Sequence, residues 1–180
     1  MPYGSSSKGH VARHVVAGLI GGLVASYAME QFQHALSRIS EDMGGASGGG
    51  GQQHRKPQSE PATYKAADAA SRAVTGRPLP QKDKPVGGSI VHYAFGGAVG
   101  AIYGAAASQN DEITAWGGIP FGATVWLLAD EIGVPLSGLS KGPTEYPLSS
   151  HISAFATHLV YGLTAESVRK LLMLPASKYR

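Results

Sequence analysis

The chain has 180 residues, 25 of them glycine, no cysteine and a formal net charge of +3. That length suits one domain or two small ones, and the missing cysteines exclude disulfides and thiolate metal sites. A charged fraction of 15% lies well below that of soluble domains, typically about 25%.

The charges are segregated. Runs of 16, 26, 17 and 20 uncharged residues follow Arg13, Lys84, Glu112 and Glu145. Between Glu30 and Lys84, by contrast, stand 12 charges in 53 residues. A bilayer core needs roughly 20 helical residues to cross. The four windows therefore predict membrane helices near 12–36, 88–108, 113–133 and 150–174 of one membrane domain, 1–180. The mean hydropathy of −0.06 conceals them, because it averages in the charged connection. A glycine-rich soluble helical domain is the competing reading.

In chain order, Lys8 and Arg13 precede an apolar run at 15–25 and the triplet Ser26-Tyr27-Ala28. That arrangement is also found in cleavable leaders, but the helical pattern continues through Phe32 and Leu36 and favours a retained helix. The polar loop 37–87 contains a Gly/Ser-rich tether at 44–51. A short helix follows at 62–75, with polar residues at 65, 68 and 72 and with Gly76 and Pro78 beyond it. The connection 133–150 holds Pro135, Pro143 and Pro147 among apolar residues, which points to a loop packed at the membrane interface.

Each predicted span carries small residues four apart. The rows read Gly18, Gly22, Ser26, Glu30; then His92, Gly96, Gly100, Gly104; then Gly118, Gly122, Trp126, Asp130; then Ala154, His158, Gly162, Glu166. Lipid supplies little hydrophobic drive between helices, so close backbone approach does that work. The rows predict an all-α, polytopic fold, a four-helix bundle packed as a glycine zipper. The shared register of the first and third rows, with Tyr103-Gly104 and Tyr161-Gly162, suggests a duplicated helical hairpin.

Four spans put both termini on one side, side A, and the loops 37–87 and 133–150 on side B. Glu30, His92, Asp130, Glu131, Glu145, Tyr146 and His151 then fall at side B, with His158 two turns deeper. Ionisable groups in membrane segments are costly and are functional candidates. This polar cluster suits proton relay or pH sensing, since imidazole titrates near neutrality. Divalent metal binding and catalysis by a carboxylate pair are rival uses, and plain interfacial capping is a third. No spaced metal signature such as H-E-x-x-H occurs, so neither a metal nor another cofactor is expected. Without a basic stripe interleaved with aromatics, nucleic acid is not an expected partner. The expected partners are the bilayer and a larger membrane complex or homo-oligomer.

The stretch from Ile119 to Thr164 resembles the YagU family of bacterial inner-membrane proteins. The resemblance rests on FGATVWLLADE, GLSKGPTEYPLSSH and HLVYGLT, with HYAFGGAVGAIYG and AGLIGGLVASYAM in its style. It implies a small multi-pass inner-membrane protein, associated with acid tolerance and without a catalytic set. The motif positions are Asp130, Glu131, Lys141, Pro143, Glu145, Tyr146, Pro147 and His151. Together these readings predict a non-enzymatic inner-membrane protein, pH-responsive or proton- or ion-handling. The alternative is an accessory or structural subunit packed against a larger membrane complex.

Overall fold

The computed structural model describes residues 5–45 and 60–174. Most of the predicted tether 44–51 lies outside the described residues. The described chain is helical, with no strand among these residues. A first long helix, α1 (Ser5–Gly45), has 41 residues and a length of about 60 Å. A short helix, α2 (Ala62–Thr75), is closed by Gly76, whose φ of 71° is left-handed and comfortable only without a side chain. Next comes α3 (Lys84–Ala107), with proline in its first turn, where no intrahelical N–H is needed.

The third predicted span is not a uniform helix. Ala115 is extended and Trp116, Gly117 and Gly118 are all left-handed, so regular helix starts only at α4 (Ile119–Val125). It continues as a π-type stretch, Trp126–Gly133, and closes as α5 (Val134–Leu136). Two residues account for the wider turns. Pro135 offers no N–H to the Glu131 carbonyl one turn back. At Gly133 the missing side chain leaves room for the Leu128 carbonyl oxygen, which would lie 2.9 Å from a Cβ. Residues 119–136 together span about 27 Å. The last helix is α6 (Leu148–Met173).

By length and composition three stretches can cross a membrane: Lys8–Ser40, Gln81–Ala107 and Asp111–Leu136. The helix α6 is long enough at 26 residues, but it carries Glu166, Arg169 and Lys170 besides its serines and histidines. Burial supports a lipid environment. Leu19, Ile20, Phe95, Ile102 and Leu128 are exposed, whereas Ser26, Thr157, His158, Glu166 and Arg169 are buried. Water would penalise both halves of that arrangement, and hydrocarbon accepts both.

The helix α1 packs against α3 and α6, α4 packs against α6, and α2 lies on α3. At the α1–α3 crossing a Cβ on Gly18 would strike the Gly100 carbonyl, and one on Gly22 the Gly96 carbonyl. At the α4–α6 crossing a Cβ on Gly118 would strike the Gly162 carbonyl, and one on Gly122 the His158 carbonyl. Gly18–Gly100 thus recurs as Gly118–Gly162, and Gly22–Gly96 as Gly122–His158. This register sets Gly104 against Glu166 rather than Gly162, so the Tyr-Gly pairs do not mark equivalent positions. The two tyrosines instead tie one crossing to the other. Tyr161 donates to the Gly96 carbonyl at 2.6 Å, and Tyr103 donates to Glu166 at 2.9 Å. Phe121 lies between them, stacked on Tyr103 at 4.0 Å and tilted against Tyr161 at 5.7 Å.

Outside the spans, Asp68 joins α2 to the chain leading into α3. It accepts from Arg72 at 2.9 Å and from the Leu79 N–H at 2.7 Å. Those two bonds, Arg72 first, hold its carboxyl below the usual carboxylate range.

Candidate functional site

The eight polar residues singled out from the sequence separate into three groups. On α1 and α3, Tyr93 donates to Glu30 at 2.8 Å. His92 Nε2 lies 3.3 Å from the Ser26 carbonyl, and His34 lies 3.9 Å from Glu30. This group closes the side-B end of the first crossing.

The second group surrounds an open cleft of about 310 Å³ beside the start of α6. Its polar lining includes Glu60, Asp130, Glu131, Tyr146, Ser150 and His151. Both carboxylates from the π-type stretch belong here, and widened turns of that kind recur at functional sites. His151 Nδ1 is 2.7 Å from Glu131 Oε1, and Nε2 is 2.9 Å from the Pro143 carbonyl oxygen. One ring therefore joins the helix of the third span to the proline-rich loop. Tyr146 stands edge-on to this ring at 6.5 Å between centroids, and its hydroxyl accepts from the Lys141 N–H at 3.3 Å. Deeper on α6, His158 has a side chain only 7% exposed. Its Nδ1 donates to the Ala154 carbonyl at 2.8 Å and lies 3.8 Å from Asp130, whose own side chain is 42% exposed.

Glu145 forms the third group alone. It turns back onto its own loop, 3.7 Å from Lys141 and accepting from the Gly142 N–H at 3.3 Å. It does not line the cleft, so Asp130, Glu145 and His151 do not converge. Among the described residues no three of His, Cys, Asp and Glu are placed to share a metal ion.

A further set emerges only in three dimensions. At the side-A end Glu166 is buried to 1% exposure, and Arg169 to 6%. Arg169 donates twice to it, through Nε at 2.6 Å and Nη2 at 2.8 Å. Tyr103 adds a third donor, and Lys170 Nζ stands 3.3 Å away. The remaining Arg169 nitrogen, Nη1, donates to His14 Nδ1 on α1 at 3.2 Å. A buried ion costs several kcal/mol in desolvation, and bidentate geometry offsets part of that. The set joins α1, α3 and α6. Its one local signal in the sequence is the i, i+3 and i, i+4 spacing of Glu166 to Arg169 and Lys170, which also fits ordinary basic residues at a membrane boundary.

The sequence model of a family described as "Protein of unknown function (DUF1440)" matches residues 77–167. No curated protein and no solved structure matches the chain. The match runs from the approach to α3, through the cleft and its proline-rich loop, to the buried Glu166. The chain belongs to the DUF1440 family, whose function is not known.

Proposed function

We propose that this chain is a YagU-like, four-span protein of the bacterial inner membrane that responds to pH without catalysing a reaction. Four spans follow if α6 joins the three apolar stretches, with Glu166 and Arg169 buried inside the bundle and the exposed Lys170 near the helix end. Two glycine-packed hairpins, one repeating the other, account for the backbone contacts of α1 with α3 and of α4 with α6. Among the described residues these rows face each other within one chain, which leaves the accessory-subunit reading no free glycine face there.

The observation that carries the pH reading is His151 between two acceptors. A carboxylate oxygen and a carbonyl oxygen both need a donor, and neutral imidazole has a single N–H. Both bonds form together only when the His151–Glu131 pair holds one extra proton, on the ring or shared with the carboxylate. The groups facing this pair are Asp130 from the π-type stretch, Glu60 from the chain before α2, and Tyr146 from the loop. Acid therefore closes the clasp between the loop 137–147 and the start of α6. Loss of the proton leaves one acceptor unpaired and frees the loop. The non-enzymatic part rests on Glu145, which faces Lys141 instead of the cleft.

The chain has no cysteine, so a single introduced one takes a spin label cleanly. Thr144→Cys is labelled on the exposed loop and reconstituted in liposomes. Its spectrum is followed across the histidine range, about pH 4 to 9. The label is expected to be immobile in acid and mobile in base, with the change abolished by His151→Gln. A spectrum independent of pH in the otherwise wild-type chain would sink the proposal.

A further inference from the structure

We propose that His14 and Arg169 form a second pH-responsive contact, at the opposite membrane face and of opposite sign. It builds on the acid-responsive reading of His151, because the two contacts take the same signal.

Donor and acceptor chemistry fixes the state of the ring. Guanidinium has only N–H donors and no acceptor. The 3.2 Å contact between Arg169 Nη1 and His14 Nδ1 therefore requires a lone pair on Nδ1. His14 must be neutral and carry its proton on Nε2. A proton on Nδ1 would remove the acceptor and set two cations against each other at that distance. The other side-A groups reinforce this preference. On its own helix His14 faces His10, with ring centroids 4.5 Å apart, and Arg13. From α6 it meets Arg169, with Glu166 and Lys170 behind, and from α3 Tyr103 closes the same carboxylate. Asp111, at the turn before α4, is the nearby opposing charge. The Glu166 carboxylate is already bound by two Arg169 nitrogens and Tyr103, so it has little left to offer a second cation.

The signs are opposed by construction. The side-A contact is complete when His14 is neutral, and it is lost as pH falls. The side-B clasp is complete when the His151–Glu131 pair is protonated, and it is lost as pH rises. The helix α6 carries Arg169 near one end and His151 near the other, and it packs along α1. Acidification therefore fastens α6 at side B and releases it from α1 at side A, and alkalinisation does the reverse. The two membrane faces exchange which end is tied.

Spin labels at Gly9→Cys and Leu172→Cys report the side-A contact, both positions being exposed. Pulsed EPR measures their separation in proteoliposomes, beside the Thr144→Cys label in a separate sample. Acid is expected to lengthen the Gly9–Leu172 distance by a few Å while the Thr144 label becomes immobile. His14→Gln supplies an amide oxygen that accepts from Arg169 and does not titrate. It should keep the short distance at every pH and leave the Thr144 response intact, with His14→Asn as a second such variant. A side-A distance that ignores pH in the chain with native His14, or that responds equally in His14→Gln, overturns the proposal. A flat Thr144 response beside an intact side-A response overturns the His151 reading and supports the His14 contact.

Discussion

Gly100→Ala tests the glycine-packed reading at a point where backbone alone surrounds the glycine. A Cβ on Gly100 would sit 2.8 Å from the Gly22 Cα and 2.9 Å from the Gly22 nitrogen, with the Gly18 carbonyl closer still. All three neighbours are backbone, so no rotamer change relieves the clash. Ordinary contact begins near 3.4 Å, and α1 and α3 must part by about 1 Å to reach it. A gap of that size forfeits a quarter to a half of the dispersion energy of each contact. Overpacking of this kind costs about 1–3 kcal/mol, and in lipid no hydrophobic gain offsets it. Alanine returns up to about 1 kcal/mol through helix propensity, so the loss is read as about 1–3 kcal/mol against a Gly→Ala change that meets no neighbour. Gly9→Ala is the control. Nothing lies within 4 Å of its Cβ, and it should be neutral or slightly stabilising. Unfolding by rising SDS fraction in mixed micelles, followed by the fluorescence of Trp116 and Trp126, gives both values. A Gly100→Ala protein as stable as Gly9→Ala would refute the close-packed crossing.

Three further outcomes are expected. Glu166→Gln breaks the buried pair with Arg169 and should cost about 3–5 kcal/mol in the same assay, while adding Arg169→Met should recover much of the loss. Tyr103→Phe, which loses a donor to a carboxylate, should cost about 1.5–3 kcal/mol. Tyr161→Phe, which loses a donor to a carbonyl, should cost only about 1 kcal/mol. Equal effects for the two tyrosines would contradict the charged character of Glu166. Asp68 has a lowered pKa, so its bonds stabilise the α2–α3 junction above the usual carboxylate range and are lost as pH falls through the lowered value. The Leu79 amide resonance should shift with that titration and should lose the transition in Asp68→Asn.

Much of the architecture follows from local signals in the sequence. Charge-free runs mark apolar helices, because a single charge in hydrocarbon is expensive wherever the chain carries it. Gly76 ends α2 through a left-handed φ, and Pro135 with Gly133 widens the turns around Glu131, both within a few residues. The break at Ala115–Gly118 was less legible, since Trp116 in a left-handed conformation has no sequence signature. The polar cluster was legible only as a shared membrane side. Order along the chain puts Glu30, His92, Asp130 and His151 at one face, but azimuth around each helix divides them between a crossing and a cleft.

By itself, then, the sequence determined the helical class, the apolar stretches and the spacing of small residues, all properties of short windows. Only the tertiary structure decided which glycine meets which carbonyl. That register in turn turned Tyr103 toward Glu166 and Arg169 toward His14, partners 63 and 155 residues apart. The physical reason is that hydropathy and helical period act along one helix. Pairing between helices depends on their depth and rotation, which the backbone contacts at Gly18, Gly22, Gly118 and Gly122 set.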